Sequence, residues 1–251
     1  MQRRNVSKIY NLPEGIRYCT RCVVSNQRPR IVFDAKGVCN ACRYAERKRS
    51  AIDWAERERQ LLDLLAQHRR TDGRFDVVVP SSGGKDSAYV AHIMKYKYDM
   101  HPLTVTWSPN VYTDIGRHNY HKMIDSGLDN ILGTPNGKVN RRMVRYCLEE
   151  LGDPFQPFIY GQVLFPVKVA LHYGVSLIMM GENAEVEYGG DPATENKRGH
   201  QVGEEMDVWF SNTDLSYWRK YFTESELFYY SLPDKDLIFK NDIQRHFMGY
   251  Y

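Results

Sequence analysis

Ser81-Ser82-Gly83-Gly84-Lys85-Asp86-Ser87 follows the apolar run Phe75-Asp76-Val77-Val78-Val79 and precedes Ala88-Tyr89-Val90-Ala91-His92-Ile93-Met94. The run before it reads as a buried strand and the stretch after it as a helix, so these residues turn a strand into a helix. Without a Cβ, Gly83 and Gly84 let the backbone take positive φ and come close to an anion. The N–H groups of the first helical turn then point at that anion, and the helix dipole favours negative charge there. Ser82 and Ser87 can add hydroxyl donors. Asp86 is out of place beside phosphates unless a cation lies between, which points to Mg²⁺ bridging Asp86 and a polyphosphate. The spacing is not that of the Walker A loop.

Working outward, Leu103–Trp107 reads as a second strand, 114–126 as a helix, 130–132 as a short strand, and 137–151 and 162–173 as helices. Val175–Met180 is the strongest buried-strand run. Alternating strands and helices predict an α/β fold, a doubly wound parallel sheet with ligands at the carboxyl ends of its strands. The expected positions are the glycine loop, Ser108–Tyr112 after the second strand, and Gly181 onward after the last. That last stretch, Gly181-Glu182-Asn183-Ala184-Glu185-Val186-Glu187-Tyr188-Gly189-Gly190-Asp191, places three glutamates and an asparagine in an irregular, glycine-rich segment. Such residues can hold Mg²⁺, order sugar hydroxyls or handle protons from a nitrogen nucleophile. An acidic surface loop is the plainer reading.

Toward the N-terminus stand two Cys-x-x-Cys pairs, Cys19/Cys22 and Cys39/Cys42, with sixteen residues between them. Four thiolates at this spacing suit a closed, structural Zn²⁺ site that folds a small module rather than doing chemistry. The rival reading, two disulfides, needs an oxidising compartment. The stretch Arg30–Asp34 between the pairs reads as a strand. Cys147 stands alone on a helical pattern, as core. From Arg43 to Arg70 a heavily charged stretch reads as one or two helices. No apolar run approaches membrane-spanning length and no secretory signal is legible, so a cytoplasmic protein is expected. The net charge of +3 argues against a nucleic-acid partner, although residues 1–74 hold 17 basic and 8 acidic side chains. Three blocks are expected: 1–73, a zinc-knuckle module with a charged helical connector; 74–200, the nucleotide domain; and 201–251, a helical, aromatic-rich segment. In the last block Thr223–Glu226 fits a capping box, and Trp209, Phe210, Tyr217, Trp218, Tyr221, Phe222, Phe228, Tyr229 and Tyr230 read as core sooner than as a sugar-binding surface.

The glycine loop resembles the Ser-Gly-Gly-x-Asp-Ser loop of the PP-loop ATP pyrophosphatases. Combined with the paired cysteines, Arg21-Cys22-Val23-Val24 and Gly-Glu-Asn-Ala-Glu-Val-Glu-Tyr-Gly-Gly, it makes the chain similar to the N-acetyl sugar amidotransferases of bacterial surface-glycan pathways (WbpG/PseA type). The resemblance implies conversion of a sugar acetamido group to an acetamidino group, with ATP split into AMP and pyrophosphate. It implies an ATP-binding set of Ser81, Ser82, Gly83, Gly84, Lys85, Asp86, Ser87, Trp107 and Gly181, with Mg²⁺ on Asp86. Lys85 fills the variable position of that loop. Glu182, Asn183 and Glu187 are the candidates for substrate or ammonia handling. An N-acetylated sugar nucleotide is the expected substrate. The expected ammonia source is a separate glutaminase of the imidazole-glycerol-phosphate-synthase kind, with its barrel subunit as a possible partner, because the chain shows no glutaminase nucleophile. The alternative is a PP-loop tRNA-modifying enzyme of the thiolation type.

Overall fold

A computed structural model describes residues 5–202, 210, 213 and 215–251. Trp209, one of the aromatics read as core, lies outside the described residues. The chain divides into two compact units, one of Met1–Leu61, Glu182–Arg198 and Gly249–Tyr251, the other of Leu62–Gly181 and Gly199–Met248. This division groups residues differently from the three consecutive blocks expected from the sequence. The acidic segment after Gly181 belongs with the cysteine module, and the aromatic segment belongs with the sheet.

The larger unit is a six-stranded sheet of order β3-β2-β1-β4-β6-β5. Its strands are β1 (Val77–Pro80), β2 (Pro102–Trp107), β3 (Asp129–Gly133), β4 (Leu177–Met180), β5 (Gly199–Gln201) and β6 (Gln244–Phe247). All neighbours pair in parallel except β5, which runs antiparallel to β6. Val77–Val79 and Leu177–Met179, both apolar runs, are buried, and so is the whole of β2 with its two threonines, as expected of strands covered on both faces. The crossovers are α4 (Lys85–Tyr96), α5 (Asp114–Asp125), α6 (Gly137–Leu151) and α7 (Gln156–Tyr173).

Two features of this unit escaped the sequence reading. α7 begins six residues earlier than expected, because Pro157 sits in its first turn, where no backbone N–H is needed. β6 is a strand within a segment read as wholly helical. Only four residues long, it carries a buried arginine, Arg245, whose Nη2 donates to the Val163 carbonyl at 2.9 Å.

Of the aromatics read as core, Phe210, Trp218, Phe222 and Tyr230 are buried and Tyr217 and Tyr221 half-buried. Phe228 and Tyr229 are exposed, a correction to the reading: they sit on the short 3-10 turn Phe228–Tyr230, which turns only Tyr230 into the core. Trp218 is fully buried and donates from Nε1 to Tyr160 Oη at 3.1 Å, while Tyr160 Oη donates to the Thr213 carbonyl at 2.8 Å. Tyr230 donates to Asn140 Oδ1 at 2.9 Å. Glu150 accepts from the hydroxyls of Tyr217 and Tyr221 and from Lys220 Nζ, gathering the segment onto the end of α6. The capping box closes at α9 (Glu224–Leu227), where the Thr223 side chain accepts from the Glu226 N–H. Cys147 is buried in the same cluster, and burial raises its pKa well above the ordinary thiol range, which leaves it unreactive. In α7, Gly161 packs directly beneath the Trp107 indole, and an added Cβ would fall on the ring. Gly161→Ala should therefore lower stability by about 1–3 kcal/mol and shift the Trp107 ring, readable as a lowered thermal midpoint with altered tryptophan fluorescence.

The smaller unit contains α1 (Val6–Ile9), α2 (Asn40–Ser50), the first half of α3 (Trp54–His68) and α8 (Ala184–Glu187). The charged stretch thus forms two helices, as read. The strand expected at Arg30–Asp34 is not one. Its place is taken by isolated bridges, Tyr18 with Ser25 and Phe33 with Cys39, which close two knuckles around the cysteines. No helix among the described residues is long and apolar enough to cross a membrane.

Candidate active site

β1 ends at Pro80, and the glycine loop leaves it at the carboxyl edge of the sheet. Ser81 is buried behind the loop. Its N–H donates to the Val105 carbonyl at 2.9 Å, its carbonyl accepts from Thr106 Oγ1 at 2.5 Å, and its Oγ lies 3.0 Å from Ser87 Oγ. Ser87 Oγ in turn donates to the Gly84 carbonyl at 3.2 Å. These two serines tie the loop to β2 and to its own helix, which leaves Ser82 lining the open side.

Gly83 has φ +85°, and an added Cβ would stand 2.7 Å from the Tyr120 backbone nitrogen and 2.8 Å from its Cα. The loop therefore presses on the backbone of α5, which no side chain at this position could allow. Gly84 caps α4 without a side chain, so the helix opens onto the loop. Asp86 stands exposed on the first turn, with Lys85 Nζ 2.6 Å from its Oδ1. Gly181, at the end of β4, lies beside Asp86: its absent Cβ would be 4.0 Å from the Asp86 Cβ.

In front of the loop is a cavity of about 310 Å³. Ser82, Gly83 and Gly84 form one wall, and Thr106 and Trp107 at the end of β2 another. Pro109, Val111, Tyr112 and Thr113, Gly116 and Asn119 of α5, and Phe158 of α7 complete the lining. The hydroxyl of Tyr112 is buried here without a hydrogen-bond partner. Peptide N–H groups and a helix N-terminus at one end, with aromatic rings and an unsatisfied hydroxyl at the other, suit a ligand that joins a polyphosphate to a flat heterocycle. Trp107 belongs to the expected nucleotide set, and Pro109, Val111 and Tyr112 fall in the stretch 108–112 legible as lying past a strand end. Phe158 and Asn119 were not legible, because each reaches the cavity only through the packing of its helix.

Asp86 would hold a Mg²⁺ ion through one carboxylate with the remaining positions left to phosphate and water, the usual donor set for that ion.

In the smaller unit the Sγ atoms of Cys19, Cys22, Cys39 and Cys42 all lie within 4.8 Å of one another. The Cys22–Cys39 pair is 3.7 Å apart and the Cys19–Cys42 pair 4.0 Å. A tetrahedral Zn²⁺ with Zn–S bonds of about 2.3 Å sets its sulfurs about 3.8 Å apart. A disulfide needs about 2.05 Å, and all four cysteines are free. Backbone N–H groups already point at the sulfurs: Arg21 and Cys39 toward Cys19, and Cys42 toward Cys39, at 3.3–3.4 Å. Burial opposes ionisation of Cys19, yet these N–H groups hold its pKa down to about 6, while burial beside the other sulfurs drives Cys42 upward. The residues fit a zinc ion, which would offset half the charge of four thiolates and leave the rest to the backbone N–H groups around them.

The acidic segment lies in this unit too, and its carboxylates differ in what they do. Glu185 is buried and takes a two-pronged pair from Arg30, Nη2 to Oε1 at 2.8 Å and Nε to Oε2 at 3.0 Å. Burial pushes its pKa up, but the Arg30 guanidinium and the Asp191 N–H outweigh that and hold the carboxyl below its ordinary range. Asn183, also buried, accepts the Glu185 N–H on its side chain at 3.2 Å and so caps α8. Glu182 is exposed and accepts from the Tyr188 hydroxyl at 2.7 Å, and Glu187 lies 3.9 Å from Lys48 Nζ. Asp86, the glycine loop, Trp107 and Gly181 thus belong to one unit, and Glu182, Asn183 and Glu187 to the other.

No protein-family model matches the chain, and no curated protein matches it. Among solved structures it is similar to a predicted subunit of tRNA methyltransferase from Methanocaldococcus jannaschii, at 17% identity over 69% of this chain and 67% of that one, with a TM-score of 0.35. It is similar also to the NH3-dependent NAD synthetase of Campylobacter jejuni, solved with nitrate, at 14% identity over 76% of this chain and 92% of that one, with a TM-score of 0.41.

Proposed function

We propose that the chain is a cytoplasmic, ATP-dependent amidotransferase of the PP-loop type that turns the acetamido group of an N-acetylated, nucleotide-linked sugar into an acetamidino group, as in the assembly of bacterial surface glycans. The observation that carries this reading is the glycine loop at the carboxyl edge of a parallel sheet, with Gly83 pressed on α5 and a cavity of about 310 Å³ before it.

An amide oxygen is a poor leaving group, and the residues suit a two-step remedy. The acetamido oxygen attacks the α-phosphorus of ATP, the bond to the β-phosphate oxygen breaks, and pyrophosphate leaves. Ammonia then adds to the imidate carbon, gives up a proton, and AMP departs with the former amide oxygen. The N–H groups of Ser82, Gly83 and Gly84 hold the departing pyrophosphate, and hydrogen bonds fixed in advance on developing charge are a large part of such catalysis. Asp86 supplies the ligand for a Mg²⁺ ion that would neutralise phosphate charge. Trp107, Tyr112 and Phe158 enclose the base. Glu182, Asn183 and Glu187 handle the substrate or the incoming ammonia, whereas Glu185 is committed to Arg30. A separate glutaminase provides the ammonia, and zinc on the four cysteines is structural.

The test is pyrophosphate release by the purified protein with ATP, Mg²⁺, ammonium and a panel of N-acetylated sugar nucleotides. Release that needs both the sugar and ammonium supports the reading, and ATP turnover indifferent to both ends it. Asp86→Ala should cut that release by about a hundredfold or more with the thermal midpoint little changed, because Asp86 is exposed and its ion pair is with the exposed, adjacent Lys85.

A further inference from the structure

The acidic segment is bound to the cysteine knuckles by a set of contacts wholly within the smaller unit. Asn40, which stands between Cys39 and Cys42, is buried and works in two directions. Its Nδ2 donates to the Gly190 carbonyl at 2.8 Å, and its Oδ1 accepts the Val32 N–H at 3.2 Å. Arg28 Nε donates to the Gly189 carbonyl at 3.1 Å. Arg30, held at φ +64°, forks onto buried Glu185, whose Oε2 also accepts the Asp191 N–H at 3.1 Å. Gly189 has φ +80°, and an added Cβ would be 3.2 Å from Asn40 Oδ1 and from the side chains of Ala41 and Ile31. A side chain at Gly190 would strike the Glu185 carboxylate itself. The segment is seated on the knuckles at both its charged strut and its glycine turn.

A buried carboxylate with two guanidinium bonds and a peptide N–H is fully used, and removing its partner strands a charge out of water. Glu185 therefore differs in kind from its neighbours Glu182 and Glu187, and Arg30 gives it that difference. The first turn of α2 carries both Asn40 and Cys42, so whatever fixes Cys42 also fixes the donor to Gly190.

We propose that Arg30 is a positioning residue that, with Asn40, ties Glu182–Asp191 to the cysteine knuckles, so that zinc on the four cysteines governs where Glu182 and Glu187 stand. The consequence for catalysis rests on the amidotransferase reading, whereas the tie itself does not. Zinc then has a role beyond folding the knuckles: losing it frees the carboxylates that serve the nitrogen acceptor step.

The test uses the full chain and two isosteric or near-isosteric variants. Amide hydrogen exchange is followed at 183–191 with the metal bound and after chelation, and metal content is measured alongside. Chelation should speed exchange at 183–191 by about tenfold or more. In Arg30→Lys, which keeps the charge but loses the fork, zinc should stay bound while exchange at 183–191 rises. The KM for the sugar nucleotide should also rise by about tenfold at an unchanged KM for ATP. Should Arg30→Lys shed zinc, Glu185→Gln carries the same comparison from the far side of the pair. Unchanged exchange at 183–191 after zinc is gone, or in the zinc-bound variants, overturns the proposal. If no N-acetylated sugar supports pyrophosphate release, the functional reading fails while the exchange result stands on its own.

Discussion

Gly83→Ala should abolish ATP-dependent pyrophosphate release and cost about 2–4 kcal/mol of stability, the sum of a strained left-handed backbone and an overpacked contact. Two independent causes act at this residue. Its φ of +85° is costly for any residue with a Cβ, and that Cβ would stand 2.7 Å from the backbone of Tyr120, which cannot swing aside as a side chain can. Either the loop lifts off α5 or α5 moves. In both cases the N–H groups of Ser82, Gly83 and Gly84 lose their common focus. Gly84→Ala is the control. Gly84 has an ordinary φ of −67°, and its absent Cβ would meet nothing nearer than Ser82 Oγ at 3.6 Å. Its thermal midpoint should stay close to that of the unaltered chain. If Gly83→Ala matched Gly84→Ala in stability, the pressed contact between the loop and α5 would not exist in solution.

Chelation of the metal should unfold the knuckles outright. Apparent zinc-binding energies in small four-ligand modules reach about 10–16 kcal/mol, on the order of the whole stability of a typical domain. The segment from Tyr18 to Cys42 has no regular strand, and of its apolar side chains only those of Cys19 and Cys39 are buried, so little else replaces that contribution. Cys39→Ser should reproduce the loss, since Cys39 is fully buried and its Sγ also accepts the Cys42 N–H. The measurement is metal content together with the visible absorption of the cobalt-substituted protein, whose intensity reports tetrahedral thiolate ligation. One zinc per chain and a strong tetrahedral cobalt spectrum are expected. A chain that binds neither ion but keeps exchange protection at 18–42 would remove zinc from the account.

Much of the larger unit could be read from residues alone because its elements carry strong local signals. Val77–Val79 and Leu177–Met180 are continuous apolar runs, Leu103–Trp107 alternates apolar residues with β-favouring threonines, and the helices α6 and α7 between them are each closed by a glycine. The cysteine cluster was legible for a different reason: ligand spacing is a chemical constraint that survives without any knowledge of packing. What stayed hidden depended on long-range partners. β6 is four residues with a buried arginine, and only its place between β4 and β5 makes it a strand. The three glutamates past β4 look alike in sequence, and it takes Arg30, 155 positions away, to single out Glu185. The role of Asn183 as a cap was similarly invisible, because the four-residue helix it starts has no periodicity to reveal it.

The place of β6 also bears on how the chain is made. β4 offers its far edge to residues 244–247, which leave the ribosome more than sixty positions later. Until they emerge, Leu177–Met180 presents an open row of amides flanked by apolar side chains, the kind of edge that recruits other nascent chains. A product cut short before Gln244 would keep the whole glycine loop and yet leave this edge of the sheet unpaired, so the strand that carries the loop is made long before the strand that covers its neighbour's edge.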